Sequence, residues 1–158
     1  MSTLFVDTIN EKTTNNGIII PGHVLQVQSF APTSTSSITT TSYTDVNSRS
    51  FTPKSASSSL LVWVTFRWQE AGSTNNAKVR ILHDSTAIFE VTNYLSYTGD
   101  SNTINTQTFH GYVASTGSTN ARTITFQAAL GSSGSLVINV NAGSADTATR
   151  MTIMEIGG

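Results

Sequence analysis

The sequence contains no cysteine, which excludes disulfide cross-links, thiolate metal ligands and a cysteine nucleophile. Charge is sparse as well. Asp, Glu, Lys and Arg make up 11% of the chain and leave a formal net charge of −1. That balance excludes the basic footprint of a nucleic-acid binder and the cationic stripe of a protein held on an anionic membrane. No apolar stretch approaches the roughly 18 residues of a membrane-spanning helix, and the N-terminus lacks the basic start and apolar run of a signal peptide. No membrane insertion is expected, and the chain is expected to fold where it is made.

What the sequence has in quantity is Thr, Ser and Asn, which supply 60 of its 158 residues, while helix-favouring Glu and Lys are few. Such a mixture favours strands and turns. The length suits one domain plus an arm. Short strand-like runs recur at the spacing of a sandwich or barrel, near 3–9, 23–30, 37–44, 49–53, 59–70, 77–83, 87–92, 106–114, 121–130, 135–141 and 149–156. Joints such as "AGSTNN", "YTGDSN", "STGSTN" and "NAGSAD" separate them, and "VRILHDSTAIFEV" reads as a hairpin turning at Asp84, Ser85 and Thr86. No repeat of fixed period is evident, which disfavours an array fold. The expectation is an all-β protein, an antiparallel β-sandwich.

Period-two alternation assigns faces. In "LLVWVTFRW" the residues Leu60, Val62, Val64, Phe66 and Trp68 form one wholly apolar row, and Leu61, Trp63, Thr65 and Arg67 point the other way. The first row is assigned to the core. So are Val79 and Ile81; Phe89 and Val91; Phe109 and Val113; Ile124, Phe126, Ala128 and Leu130; and Leu136, Ile138 and Val140. Apolar residues are left over on the second faces, Leu61 and Trp63 in one strand, and Met154 and Ile156 opposite Met151 and Ile153 in the last. A strand apolar on both faces is usually covered on both. The cover is either another layer of the same chain or a subunit interface, and both require Trp63 to be substantially buried.

The N-terminal stretch raises the same question. Leu4, Phe5, Val6 and Ile9 belong to a six-residue strand-like piece that cannot be stable alone. After a polar spacer, Ile18, Ile19 and Ile20 lie between "NNG" and Pro21-Gly22. Either both segments fold back on their own domain or they pair with another chain.

Catalytic chemistry has little support. His23, His83 and His110 are scattered, without a carboxylate or second histidine at ligand spacing, and read as surface or turn residues. Asp84, Asp100 and Asp146 stand in turns, where Asp bonds its own backbone. No nucleophile elbow, phosphate-cradling loop or paired carboxylates is present. No enzyme activity, metal or cofactor is expected. Binding is better supported: "TNYLSYTGDSNTINTQ" sets Tyr94 and Tyr97 beside Asp100, Asn102 and Asn105. Aromatic faces with amides and carboxylates suit a glycan, although packing of both tyrosines at a sheet edge fits equally.

Residues 2–9 read Ser-Thr-Leu-x-Val-Asp-Thr-Ile, and residues 17–27 read Gly-Ile-x-Ile-Pro-Gly-x-Val-Leu-Gln-Val. This pattern resembles the arm that opens many short fibre proteins of tailed bacteriophages. More loosely, "YTDVNSRSFTPKSASSSLLVWVTF" is similar to the early strands of the jelly-roll heads that close such fibres and of the trimeric heads of the complement and tumour-necrosis-factor type. The resemblance implies two regions, an arm and trimerisation segment at 1–28 and a jelly-roll-like head at 29–158. It implies a homotrimer in the virion, assembled in the host cytoplasm. Leu4, Phe5, Val6 and Ile9 would attach to another virion protein by strand addition. Ile18, Ile19 and Ile20 would meet at the threefold axis with Leu61 and Trp63 in the interface. The head would face a host-surface glycan through Tyr94, Tyr97, Asp100 and Asn102. The long shaft of many such fibres is missing. A trimeric capsid decoration or cement protein, and a free lectin-like module, are the competing readings.

Overall fold

The computed structural model describes residues 22–31, 35–71, 77–92, 104–132, 134–139 and 149–158. The strand expected at 3–9, the triple isoleucine, Val140 and the Tyr94 to Asn102 segment lie outside them.

Ten strands are described: β1 (Val24–Phe30), β2 (Ser36–Ile38), β3 (Thr44–Phe51), β4 (Ser59–Ala71), β5 (Ala77–His83), β6 (Thr86–Val91), β7 (Ile104–Val113), β8 (Arg122–Leu130), β9 (Ser135–Ile138) and β10 (Arg150–Ile156). There is no helix among the described residues. All pairings are antiparallel. One sheet runs β1-β10-β4-β7, with β9 and β2 continuing past β10 along the same side of β4; the other runs β3-β8-β5-β6. The pairs β1–β10, β3–β8, β4–β7 and β5–β6 nest inside one another along the sequence. That is a long hairpin folded over on itself, the topology of a jelly roll.

The inward rows follow the alternation. Leu60, Val62, Val64, Phe66 and Trp68 are fully buried, as are Val79, Ile81, Ile124, Phe126, Ala128, Leu136, Ile138, Met151 and Ile153. Phe89, Val91, Phe109 and Val113 pack against them from β6 and β7. Phe66 meets Phe126 at 5.0 Å between ring centroids and Phe109 at 5.8 Å, and Phe109 stacks on Phe89 at 4.8 Å. Each large side chain so buried contributes about 1.5–3 kcal/mol toward the chain entropy lost on folding.

Two strand readings change. The run read at 37–44 ends as β2 at Ile38, and the run read at 49–53 is the end of β3, which begins at Thr44. Between them the chain crosses from one sheet to the other. The Thr40 hydroxyl accepts a hydrogen bond from the Ser42 amide at 3.1 Å, a local bond that competes with strand pairing. The hairpin after β5 turns on Asp84 and Ser85, with Thr86 already in β6; Asp84 has φ 54°. The boundary at residue 28 falls inside β1, so Val24 to Gln28 are part of the sandwich.

Where the chain enters β1, Gly22 has φ 79°, a conformation open to glycine at little cost. Its amide donates to the Gly157 carbonyl at 2.8 Å, and the Gly157 amide donates to His23 in return, also at 2.8 Å. The entry and exit of the sandwich are thereby paired. At the other end of that sheet Asn139 is fully buried with φ 60°. Its Oδ1 accepts from the Thr149 amide at 2.6 Å, and its own amide donates to the Arg67 carbonyl at 2.8 Å. One residue therefore ends β9 and fixes the approach to β10.

Candidate functional site

The two outward faces of the sandwich differ in kind. On the β3-β8-β5-β6 sheet the polar side chains satisfy one another. Gln127 donates to Asp45 at 2.6 Å, and Arg80 Nε donates to Gln127 at 2.6 Å. The Arg80 guanidinium lies 3.9 Å from the centroid of the Tyr43 ring, and the Tyr43 hydroxyl donates to Glu90 at 2.9 Å. Burial first, then the hydrogen bond and charge of Glu90, push the Tyr43 phenol up to about 12, against the opposing pull of Arg80.

The outward face of the other sheet carries an apolar row. Val27 lies opposite Met154, Met154 opposite Leu61, and Leu61 opposite Tyr112, so the row crosses β1, β10, β4 and β7. Val27 is 51% exposed and Tyr112 57%, while Met154 and Leu61 are half-buried. Trp63 sits one row further on, between Thr152 and His110, and is also half-buried. The residues singled out in the sequence as possible interface positions, Leu61 and Trp63, thus share one surface, Leu61 among apolar neighbours and Trp63 flanked by Thr152 and His110. Leu4, Phe5, Val6, Ile9, Ile18, Ile19, Ile20, Tyr94, Tyr97, Asp100 and Asn102 fall outside the described residues.

A feature that the sequence reading missed lies at the edge of the sandwich where β1 and β3 face each other. β10 continues its inward row Met151, Ile153 with Glu155, whose residue is fully buried. Its Oε1 accepts from the Lys54 amide at 2.8 Å, the Ser55 amide at 3.1 Å and the Ser58 hydroxyl at 2.6 Å. Its Oε2 accepts from the Gln26 side-chain amide at 2.6 Å. Every one of these partners donates, which is the surrounding a carboxylate needs to be tolerated inside a protein. Gln26 also donates to the Thr52 carbonyl at 2.8 Å and accepts from Gln28 Nε2 at 3.0 Å. Beside this cluster opens a cleft of about 730 Å³, bounded by Gln26 and Gln28 of β1, Thr52, Pro53 and Lys54 after β3, and Thr119. The signal was available: alternation in "RMTIMEI" puts Glu155 on the same face as two buried residues, and alternation in "LQVQSF" does the same for Gln26 and Gln28 relative to Phe30.

His83 is half-buried, with Nε2 buried and unpaired. Burial, followed by the Arg122 charge, pulls its pKa below the ordinary 6.5, with Asp84 opposing. His23 and His110 are exposed. Among the described residues no three His, Asp or Glu side chains gather as a metal site.

In the solved structures the chain is similar to infectious bursal disease virus, Gt strain, at 12% identity and a TM-score of 0.49, covering 96% of this chain and 43% of that one. The Gx strain of the same virus gives 13% identity and a TM-score of 0.48, covering 95% and 42%. Its VP2 subviral particle gives 14% identity and a TM-score of 0.43, covering 84% and 37%. The chain thus spans about two fifths of the length of those proteins. At TM-scores below 0.5 this likeness carries no argument about the chain. No protein-family model and no curated protein matches the sequence.

Proposed function

We propose that this protein is a virion structural protein of a tailed bacteriophage, a homotrimeric short tail fibre. Its N-terminal arm docks on another virion protein, and its jelly-roll head is turned toward the host surface, where a glycan is the expected receptor. Assembly takes place in the host cytoplasm. The protein does no catalysis and needs no cofactor.

The observation that carries this reading is the contrast between the two outward faces. Burying apolar area is what drives association, and among the described residues the row Val27, Met154, Leu61, Tyr112 offers it on one sheet. The other sheet has already paired its polar groups with each other. We assign the apolar row, together with Trp63, to contacts between copies of this chain. The arm pattern at residues 2–9 and 17–27 supports the same assignment, because the fibres it resembles are trimers. In the trimer Ile18, Ile19 and Ile20 meet at the axis, and Leu4, Phe5, Val6 and Ile9 add a strand to the virion partner.

The test is the solution mass of the full-length protein by light scattering behind size exclusion. Three times the chain mass is the expected result, and a monomer at micromolar concentration overturns the reading. A trimer whose surface binds no host cells and no saccharide moves the assignment to a capsid decoration protein.

A further inference from the structure

We propose that the cleft between β1 and the β3–β4 connection is a binding site for a neutral saccharide. It is built within one chain, and it depends on the fibre reading only for its setting, a head presented to a cell surface.

The lining defines the chemistry. Ligand pockets for drug-like molecules and cofactors are mostly apolar, whereas this cleft is walled by the amides of Gln26 and Gln28 and the hydroxyls of Ser50, Thr52 and Thr119. Among the described lining residues Pro53 supplies an apolar ring and Lys54 a cationic side chain. Both Gln26 Nε2 hydrogens are engaged by Thr52 and Glu155, which leaves the Gln28 amide and the hydroxyls to donate and accept, a match to a ligand whose surface is a ring of hydroxyl groups. A volume of about 730 Å³ admits one or two sugar rings.

The geometry also shows why the wall is rigid. Gln26 is held by three hydrogen bonds, to Thr52, Glu155 and Gln28, at 2.6 to 3.0 Å. The backbone at Lys54 and Ser55 is held by Glu155. Long polar side chains ordinarily lose rotamer entropy on binding. Here Gln26 has lost it on folding, through the same carboxylate that holds Lys54, Ser55 and Ser58.

Low affinity is expected of each cleft, because no aromatic ring lies among the described lining residues. A dissociation constant on the order of 1 mM suits that chemistry, and three copies on one particle feature would add through effective concentration.

The experiment is an NMR titration of isotope-labelled full-length protein with glucose, galactose, mannose and N-acetylglucosamine, and separately with inorganic phosphate. At least one sugar should shift the backbone amides of Thr52, Lys54 and Thr119 and the side-chain amides of Gln26 and Gln28, saturably, while phosphate leaves them in place. Thr119→Leu, which replaces a lining hydroxyl at an exposed loop position with a bulkier apolar side chain, should weaken the response by about tenfold or more. Absence of a shift with all four sugars, a shift with phosphate alone, or an undiminished response in Thr119→Leu overturns the proposal. Light scattering on the same samples separates the two readings. A trimer without sugar binding removes the cleft and leaves the fibre, and a monomer that binds sugar does the reverse.

Discussion

The side-chain amide of Gln26 donates to the carboxylate of Glu155 at 2.6 Å across the β1–β10 pair, joining the first described strand to the last. The bond is one of several that a buried carboxylate collects from a neighbouring strand and from a loop 100 residues earlier in the chain.

Removing that carboxylate leaves its donors without a partner. Glu155→Ala strands the amides of Lys54 and Ser55, whereas the Ser58 hydroxyl keeps the Ser55 carbonyl as an acceptor at 2.7 Å, and each orphaned donor costs about 1–3 kcal/mol. Loss of at least about 2 kcal/mol is expected in urea unfolding, with Glu155→Gln intermediate because its amide group faces donors. A change under about 0.5 kcal/mol would show that the cluster is not a structural clasp.

Gly111 of β7 sits under Ile88 of β6, and a Cβ built there would meet Ile88 Cγ1 at 2.7 Å and Cδ1 at 2.8 Å. Gly111→Ala should therefore destabilise by about 1–3 kcal/mol through overpacking. Ile88→Val removes the Cδ1 methyl and should recover part of that loss, giving a coupling energy in the double-mutant cycle. Strict additivity of the two changes would be the contrary result.

The apolar row should respond to charge as an interface and not as a core. Met154→Glu and Tyr112→Lys should reduce the solution mass toward that of one chain while far-ultraviolet circular dichroism stays unchanged. Arg80→Ala on the opposite sheet, which removes the contact to Tyr43, should leave the mass alone. Equal effects of all three on mass would mean that stability, and not this face, is being read.

His83 has a pKa below its ordinary 6.5 in the folded chain. The unfolded chain therefore binds the proton more readily, and the stability that neutral His83 supplies is complete above about 6.5 and is lost as the pH falls through the folded value. The wild type should be less stable at about pH 5 than at about pH 7.5, and His83→Gln should flatten that difference. An unchanged pH profile in the variant would count against the role.

Asn139 combines a left-handed backbone with a buried side-chain acceptor for the Thr149 amide. Asn139→Gly keeps the backbone and loses the bond, Asn139→Ala loses both, so the loss should be larger for alanine, by roughly 1 kcal/mol. Thermal unfolding of the two variants measures the difference, and a reversed order would mean that the conformation carries no strain.

Strand faces were legible because alternation is a property of the backbone itself: Leu60, Val62, Val64, Phe66 and Trp68 could be assigned inward from their spacing, and all five are fully buried. The hairpin at Asp84 was legible for a similar reason, since turn residues act through their own local bonds. The break between β2 and β3 was not. β-Branched residues run through it, and only the passage from one sheet to the other, with the Thr40 bond to Ser42, ends the strand there.

The sequence by itself determined the all-β class and the two faces of each strand, because both depend on neighbours one or two residues away. Only the tertiary structure decided the nesting of β1 with β10 and β3 with β8, and with it the Glu155 clasp and the polar cleft. Each of those joins groups some 25 to 130 residues apart, Gln26 to Thr52 and to Glu155 among them. No local pattern encodes that proximity; it arises when the long hairpin closes and two sheet edges meet.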